Sequence, residues 1–264
     1  SILVTGAAGY IGTKVVQTLI DYGYNNLRCF VRPSSDLTGL QEIISDHSST
    51  NISILKGNLL SKDDCAKAVS GVSVIYHLAA GVDKTFAGCV MNSAVSTRNL
   101  LDSIVPIKKL KRIVNVSSIA VYSTQNIKSG GLLDETCPYD SRSHLRHEAY
   151  PFGKIKQDQL IFEYYENYML PYVIVRPGDV FGPGKRKLSG RVGIDTFGVF
   201  LHLGGTNTIP LTYIDNCAEA IVLAGLKSGV DGKIFNIVDD DLPASRSFLK
   251  QYKQNVNSFF SIYL

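Results

Sequence analysis

A tyrosine and a lysine stand four residues apart in this sequence, at Tyr150 and Lys154. On a helix, residues at this spacing lie on the same face one turn apart, so the lysine ammonium would sit beside the phenol. A neighbouring positive charge favours the phenolate and lowers a tyrosine pKa from its ordinary value of about 10. The pair therefore has the composition of a general acid and base that exchanges a proton with a hydroxyl group.

The same stretch offers a second register, in which Phe152 and Lys156 take the two positions. Phenylalanine has no proton to transfer, so this register predicts a protein without that catalytic step. We prefer Tyr150 and Lys154, because both residue types that the chemistry needs are present at the right spacing. Pro151 is tolerated only in the first turn of a helix, so the helix should begin near Tyr150.

Three glycines follow a short apolar stretch near the start of the sequence, at Gly6, Gly9 and Gly12. Where a strand turns into a helix, such glycines allow a tight turn, a close approach of the backbone to a pyrophosphate, and close packing of helix on strand. The N-terminus of the helix adds unpaired N–H groups and the positive end of the helix dipole. The stretch predicts a nucleotide-binding turn, and the alternative is an ordinary glycine-rich connection.

Apolar stretches alternate with amphipathic ones along the chain. The predicted strands are Ile2–Thr5, Leu27–Val31, Ile52–Leu55, Val74–Leu78, Ile113–Val116 and Tyr172–Val175. The predicted helices are Ile11–Ile20, Lys62–Val69, Met91–Ile104 and Tyr150–Tyr165. Strands that are apolar throughout and alternate with helices indicate a parallel sheet covered on both faces. The pattern predicts an α/β fold with a doubly wound parallel sheet of the Rossmann type.

Composition limits the classes of partner. The 264-residue chain has a net charge of +4, which is too small to predict nucleic acid as the main partner. Its apolar stretches fall short of the ~20 residues that span a membrane. The five cysteines are scattered, which is typical of thiols in a reducing compartment and predicts a cytoplasmic protein. His144 and His147 have no further ligands nearby in the sequence, so we predict no metal site.

In its motifs the sequence resembles the short-chain dehydrogenase/reductase superfamily, in its extended, epimerase/dehydratase-like branch. Residues Thr5–Gly12 fit the string TGxxGxxG at every fixed position. Further stretches resemble the same family in the same order, namely Gly57–Leu59, His77–Ala80, Val116–Ser118, Arg176–Pro183 and Tyr213–Ala218. The resemblance covers nearly the whole chain. It implies a dinucleotide-binding Rossmann domain at residues 1–177 and a mainly substrate-binding lobe at residues 178–264, from which residues 212–238 return to the Rossmann core.

The resemblance also implies the catalytic roles. Tyr150 would be the general acid and base, and Lys154 would lower its pKa and bind the cofactor ribose. The stretch Val116–Tyr122 resembles the string SSxxVY, in which the second serine is catalytic. Ser118 would therefore hold the substrate oxygen, and Ser117 is the alternative.

Two other positions compare with those of relatives. Asp158 stands four residues after Lys154, where relatives often place an acid. The asparagine that relatives carry in the preceding helix is out of register in this chain. Asn92 stands one position before the expected site, which holds Ser93.

The expected cofactor is NADP, with NAD as the alternative. An acid about 20 residues after the glycines favours NAD, whereas an arginine accommodates the 2′-phosphate of NADP. Arg32 lies 32 − 12 = 20 residues after Gly12, and Ser34 and Ser35 can add hydroxyl donors. Asn58 replaces the aspartate that usually accepts from the adenine amino group. The resemblance implies cofactor contacts at Gly6, Gly9, Tyr10, Ile11, Gly12, Arg32, Asn58, Leu59, Leu78, Ala79, Ala80, Lys154 and Pro177.

Three features bear on the substrate. Dehydratase relatives carry an acidic pair after the catalytic hydroxyl residue, where this chain has Ile119 and Ala120, so dehydration is disfavoured. Asp179 replaces the asparagine that lies near the substrate in nucleotide-sugar relatives, and a carboxylate there would repel a pyrophosphate unless countered. Four cations follow, which either bind an anionic substrate or form a solvated loop, namely Lys185, Arg186, Lys187 and Arg191.

We therefore expect an NAD(P)-dependent oxidoreductase that transfers hydride reversibly at a secondary alcohol or ketone of a small molecule. A nucleotide-sugar epimerase with retained NAD is one alternative, and a non-catalytic nucleotide-sensing module is another. A steroid- or flavonoid-type reductase falls within the main expectation, because Val31–Pro33 resembles those relatives. The chain ends at Leu264, earlier than in relatives, which leaves open whether part of the substrate lobe is missing. The sequence also leaves open the substrate and the oligomeric state, a homodimer included.

Overall fold

The computed structural model describes residues 1–47, 51–82, 85–107, 109–125, 127, 131–185, 188–256 and 261–263. The chain forms two compact units. The first comprises Ser1–Pro177 and Ala218–Ile237, and the second comprises Gly178–Cys217 and Val238–Leu264. The role of the second unit as a substrate lobe stays a prediction.

The first unit is built on a seven-stranded parallel sheet. Its strands are β1 (Ile2–Thr5), β2 (Asn26–Val31), β3 (Asn51–Lys56), β4 (Val74–His77), β5 (Arg112–Val116), β6 (Tyr172–Pro177) and β11 (Ile234–Ile237). They are arranged in the order β11-β6-β5-β4-β1-β2-β3, and all neighbouring pairs are parallel. The order runs outward from β1 in both directions, which is the doubly wound arrangement of a Rossmann-type sheet. The predicted fold class is confirmed.

The helices of the first unit connect these strands. They are α1 (Tyr10–Asp21), α2 (Thr38–Asp46), α3 (Lys62–Val69), α4 (Phe86–Cys89), α5 (Ser96–Ile104), α6 (Ala149–Tyr168) and α7 (Ile214–Leu226), the last of which carries the chain in from the second unit. A π-helical stretch, Val90–Val95, joins α4 to α5, so the single predicted helix Met91–Ile104 is a composite. Helix α2 was not predicted. Leu40, Ile43 and Ile44 have helical spacing, but the helix is short and Leu40 is its one buried residue.

The core explains why the strands read as continuous apolar runs. Every residue of β1, β4, β5 and β6 is buried. Successive side chains of a strand point to opposite faces, so both faces of these strands are covered. Helix α6 differs, because it buries the polar side chains of Lys154, Gln157 and Asp158 along with its apolar ones. Buried polar groups of this kind cluster at functional sites, so they direct attention to this part of the fold.

In its described residues the second unit has two small sheets and, besides the start of α7, one helix. Its strands are β7 (Asp179–Phe181), β8 (Gly193–Thr196), β9 (Val199–His202), β10 (Leu211–Tyr213) and β12 (Ser261–Tyr263), and its helix is α8 (Ser245–Asn255). Strands β10 and β7 form a parallel pair, and β12, β9 and β8 form a three-stranded sheet. A small core of Val192, Phe200, Ile209, Leu211 and Leu249 holds the unit together. None of the helices in the described parts of either unit is long and apolar enough to cross a membrane.

Candidate functional site

The turn between β1 and α1 is shaped by its glycines. Gly6 has a φ of +69°, and a Cβ on it would lie 3.0 Å from the backbone nitrogen of Ala79. A Cβ on Gly12 would lie 2.1 Å from the carbonyl oxygen of Gly6, so α1 can begin this close to the strand only with glycine there. Gly9 is the N-terminal cap of α1. The helix N-terminus is therefore exposed at the turn, as an anion site requires.

A groove of about 400 Å³ opens beside this turn. Eight predicted cofactor contacts line it, namely Gly6, Gly9, Arg32, Asn58, Leu59, Leu78, Ala79 and Ala80. The remaining residues along it are Ala8, Phe30, Val31, Ser34, Ser35, Asp36, Asn92 and Ser96. The other predicted contacts lie elsewhere in the first unit: Tyr10, Ile11 and Gly12 in the first turn of α1, Lys154 in α6, and Pro177 at the end of β6.

One end of the groove carries a cation and two hydroxyl groups. Arg32 is exposed there, and Ser34 and Ser35 line the same groove. The nearby acid, Asp36, accepts from the backbone N–H and the hydroxyl of Thr38, at 3.0 and 2.7 Å. These two bonds lower the pKa of Asp36 and hold one of its oxygens at the start of α2. The groove thus presents a guanidinium and hydroxyl donors at this end, which suits a phosphate, while the ionised carboxylate of Asp36 beside them opposes one.

Asn58 lies in a tight turn of its own. Its side-chain oxygen accepts from the backbone N–H of Leu60 at 3.0 Å, and its backbone N–H donates to Asp64 at 2.9 Å. A carbonyl oxygen has two lone pairs, so one remains for another donor. If Asn58 accepts from an adenine amino group, as expected, the same oxygen must also accept from the N–H of Leu60.

Lys154 is buried at the carboxyl end of β5. Its Nζ donates to the carbonyl oxygen of Val116 at 2.7 Å. Burial lowers the pKa of Lys154 to about 8, and the charge of Asp158 works against that shift. Tyr150 is half-buried in the first turn of α6, one turn before the lysine. Ser118, two residues beyond Val116, is half-buried and accepts from the N–H of Ala120 at 3.1 Å.

The alternative pair in α6, Phe152 and Lys156, lies in a different environment from Tyr150 and Lys154. Lys156 is exposed and donates to Gln159 at 3.0 Å. Its Nζ lies 5.6 Å from the centre of the Phe152 ring. That ring packs edge-on against Phe86, with ring centres 5.4 Å apart. Lys154 alone of these two lysines is therefore held inside the fold.

Behind Lys154 lies a buried ion pair between Asp158 and Arg176. The two side chains are 0% and 2% exposed, with nitrogen and oxygen 3.1 Å apart. The carboxylate also accepts from Asn115 at 2.8 Å and from Ser117 at 2.9 Å. Burial raises the pKa of Asp158, while Arg176 and the Ser117 hydroxyl work to keep it ionised. Since Ser117 is committed to this carboxylate, Ser118 is the serine at the strand end with the more accessible hydroxyl.

Arg176 is itself held between two tyrosines. Its guanidinium carbon lies 4.7 Å from the ring centre of Tyr122 and 4.9 Å from that of Tyr139. The guanidinium donates to both hydroxyl groups, and the Tyr122 hydroxyl donates to Asn236 at 2.8 Å. This cluster was not predicted from the sequence. Asp158 and Arg176 each lie in a stretch that resembles the family, but nothing local indicates that they meet.

A second buried polar cluster contains His77. One ring nitrogen lies 2.8 Å from the Thr5 hydroxyl and the other 2.9 Å from that of Thr97. Burial lowers the pKa of His77 to about 3, and the charge of Lys154 adds to the effect. Gln157 donates to Thr97 at 2.8 Å and to the carbonyl of Ala79 at 3.1 Å. A neutral histidine therefore braces β1 and β4 against α5 and α6 beside the groove.

The helix before β5 places its asparagine on the groove. Asn92 lies in the π-helical stretch and lines the groove. Ser93, at the position expected for the asparagine of relatives, is buried, and its hydroxyl accepts from the N–H of Gly81 at 2.9 Å. π-Helical turns are frequent at functional sites. Although Asn92 is one position out of register in the sequence, its place on the groove makes it a candidate contact.

In the second unit, Asp179 is countered by neighbours. Its carboxylate lies 3.5 Å from the Arg191 guanidinium and accepts from the Ser189 hydroxyl at 2.6 Å. Lys185 donates to the carbonyl oxygen of Val180. Arg186 and Lys187, the other two predicted cations, lie outside the described residues. The described part of the chain contains no group of three or more residues able to hold a metal ion.

Comparison with known proteins places this geometry in a family. The model of the NAD dependent epimerase/dehydratase family matches residues 2–238. A solved structure of UDP-glucuronic acid 4-epimerase from Bacillus cereus, in complex with UDP-glucuronic acid and NAD, has a TM-score of 0.80 and 26% sequence identity to this chain. The match covers 100% of this chain and 85% of the epimerase.

Two curated relatives have different activities. One is a trifunctional UDP-glucose 4,6-dehydratase/UDP-4-keto-6-deoxy-D-glucose 3,5-epimerase/UDP-4-keto-L-rhamnose-reductase of Arabidopsis thaliana. It is 26% identical over 253 residues, and the match covers 90% of this chain and 36% of the plant protein. The other is the decarboxylating sterol-4-alpha-carboxylate 3-dehydrogenase of Candida albicans, 28% identical over 263 residues, with 91% of this chain and 70% of that protein covered. The chain thus spans little more than a third of the plant relative.

Proposed function

We propose that this chain, which belongs to the NAD dependent epimerase/dehydratase family, is an NAD(P)-dependent oxidoreductase of the extended short-chain dehydrogenase/reductase type. It would transfer hydride reversibly at a secondary alcohol or ketone of a small molecule. The observation that carries the proposal is the buried Lys154, held at the carboxyl end of β5 one helical turn after Tyr150. Ligands of doubly wound sheets bind at the carboxyl ends of the strands.

The residues of the first unit fit a dinucleotide. A Cβ at Gly6 or Gly12 would fill the turn against neighbouring backbone, so the turn keeps the space that a pyrophosphate needs. The groove beside it has small residues on its walls and Arg32, Ser34 and Ser35 at one end. These three residues support a preference for NADP over NAD, because they match the chemistry of a 2′-phosphate.

Each catalytic side chain has one task. A bound nicotinamide ring supplies the hydride acceptor or donor. During oxidation Tyr150 takes the proton of the substrate hydroxyl, and during reduction it returns that proton. Lys154 keeps two ammonium hydrogens beyond the one given to Val116, which it can use for a cofactor ribose while its charge favours the phenolate. Ser118 donates its hydroxyl hydrogen to the substrate oxygen.

The environment of α6 argues against a non-catalytic module. One of the features that would favour that alternative is the register of Phe152 and Lys156, and Lys156 is exposed and bonded to Gln159. A buried lysine with a lowered pKa, such as Lys154, is instead typical of a functional site.

All five cysteines are thiols, which supports a reducing compartment and a cytoplasmic location.

An epimerase with retained NAD is the second candidate. The Bacillus cereus structure of UDP-glucuronic acid 4-epimerase, with NAD and UDP-glucuronic acid bound, favours it. Such an enzyme would use the same tyrosine and lysine to oxidise and reduce one carbon in turn. The two candidates differ in whether the cofactor leaves after each turnover.

Analysis of released nucleotide separates the two candidates. Purified protein is denatured, and any nucleotide set free is identified by mass and absorbance. We expect none at stoichiometric level, together with saturable binding of added NADPH and its consumption with a panel of ketones. Stoichiometric NAD that survives purification would replace the oxidoreductase by the epimerase. No binding of either cofactor would overturn both.

A further inference from the structure

The second unit contains a cavity of about 500 Å³, separate from the groove described above. Four aromatic side chains line it: Phe181 on β7, Tyr213 on β10, and Phe248 and Tyr252 on α8. Each of them is half-buried, so part of every ring remains accessible. A volume of this order with mostly apolar walls is typical of a small-molecule site.

The rings form a connected series. Phe181 lies edge-on to both Tyr213 and Phe248, with ring centres 5.5 and 6.4 Å apart. Phe248 lies 6.4 Å from Tyr252 in a tilted arrangement. Aromatic rings prefer edge-on or offset partners at these separations. A flat ring that enters the cavity would therefore meet the edges and faces of aromatic side chains that are already oriented for ring–ring contacts.

The charged side chains among the described lining residues of the cavity already have partners within the protein. They are Asp179 and Lys185. The Asp179 carboxylate is paired with Arg191 and accepts from the Ser189 hydroxyl, and Lys185 donates to the carbonyl of Val180. A phosphate group would lose its hydration against the aromatic walls and would have to compete with these partners. An uncharged ring avoids both costs.

We propose that this cavity binds a flat, uncharged ring system. The inference rests on the oxidoreductase activity proposed above and names an uncharged ring compound as the class of its substrate. The aromatic walls supply dispersion and edge-to-face contacts to its faces. The side-chain amides of Gln251 and Asn255, which also line the cavity, can bond to a polar substituent on the ring.

Calorimetric titration of the intact protein with 2-naphthol, an uncharged fused-ring alcohol, tests the proposal. Parallel titrations use uridine diphosphate and NADPH. We expect saturable binding of 2-naphthol with one site, about three- to tenfold weaker in Phe248→Leu because one aromatic partner is lost. Tyr252→Leu is the second variant, in case Phe248→Leu fails to fold. Phe197→Leu is the control, since Phe197 is fully exposed at the turn between β8 and β9 and does not line the cavity.

The outcomes of these titrations test the ring site separately from the proposed oxidoreductase activity. Absence of saturable 2-naphthol binding, or equal binding by Phe248→Leu, Tyr252→Leu and Phe197→Leu, would overturn the ring site. Tight binding of uridine diphosphate that Phe248→Leu or Tyr252→Leu weakens would also overturn it, in favour of a nucleotide site. NADPH should bind equally to all variants. A protein that binds 2-naphthol as expected but no NADPH would leave the ring site standing and remove the oxidoreductase proposal.

Discussion

The groove of the first unit and the cavity of the second unit differ in their described lining. Half of the residues along the groove are glycine, alanine or serine, and Phe30 is the one aromatic residue among them, whereas four aromatic rings line the cavity. Backbone N–H groups and a helix N-terminus bind phosphates of any nucleotide, and they require small residues for close approach. Aromatic walls, in contrast, select a ligand by the shape of its ring. The difference agrees with the two proposals made above, a dinucleotide at the first unit and a ring compound at the second.

The two units also differ in how they hold charge. Asp158 and Arg176 in the first unit are fully buried, whereas Asp179 and Arg191 in the second are 31% and 46% exposed. Breaking a buried pair leaves an uncompensated charge in the core, while an exposed pair is replaced by water. The same substitution in the two units should therefore have very different costs.

Asp158→Asn and Asp179→Asn test that difference directly. We expect Asp158→Asn to lower the free energy of unfolding by about 3–5 kcal/mol, because Arg176 loses its buried partner. Asp179→Asn should cost less than about 1 kcal/mol. Urea unfolding of both variants and the wild type measures the two losses. Equal losses would contradict the contrast between the units.

Gly12→Ala tests whether the groove depends on close backbone packing. The added Cβ would lie 2.1 Å from the Gly6 carbonyl, so the turn must shift. We expect a loss of about 1–3 kcal/mol in stability, together with weaker NADPH binding. Gly39→Ala, where a Cβ in α2 meets open space, is the control. It should leave NADPH binding unchanged and should not lower stability, because alanine favours a helix over glycine. Normal NADPH affinity in Gly12→Ala would show that the turn does not hold the cofactor.

The pH dependence of stability tests the buried His77. Its pKa is lowered to about 3 in the fold, against about 6.5 in an unfolded chain. Between these values the unfolded chain binds a proton that the native protein does not, so stability falls as the pH falls. The contribution is about 1.4 kcal/mol per pH unit at most. The slope of unfolding free energy from pH 6.5 to 4 should be smaller in His77→Asn, and an unchanged slope would exclude a neutral buried histidine.

Arg32→Asp sharpens the choice of cofactor and has the smallest expected effect. Loss of a guanidinium from the 2′-phosphate should weaken NADPH binding about tenfold and leave NADH binding nearly unchanged. Lys62→Asp, at an exposed lysine that does not line the groove, controls for net charge. Titration of each variant with both cofactors makes the measurement. If the two variants lose NADPH affinity equally, Arg32 has no specific role.

The first unit could be predicted well from the sequence because its signals are local. Ile2–Thr5 and the glycines after it encode a strand and a turn within twelve residues, and the spacing of Tyr150 and Lys154 encodes one helical face. The partners of Asp158 could not be predicted in this way. Arg176 and Asn115 reach it from neighbouring strands, and no local pattern links these positions.

The cavity of the second unit was missed for the same physical reason. Its rings come from Phe181, Tyr213, Phe248 and Tyr252, and only the last two share an element. The hydrogen bond between the Asn58 side chain and the N–H of Leu60 was also not predicted, because it depends on the conformation of the local backbone. Family motifs identified both stretches that contain Phe181 and Tyr213, but they did not indicate that the two rings would meet.

Hydride transfer by Tyr150→Phe is the measurement that tests the central claim most directly. Wild-type protein and this variant are compared in NADPH consumption with the ketone that the wild type reduces best, and Lys156→Met serves as the control for the second register. We predict a loss of about 10²–10⁴-fold in turnover for Tyr150→Phe, with NADPH affinity unchanged, and normal turnover for Lys156→Met. Unchanged turnover in Tyr150→Phe, or a comparable loss in Lys156→Met, would contradict the account.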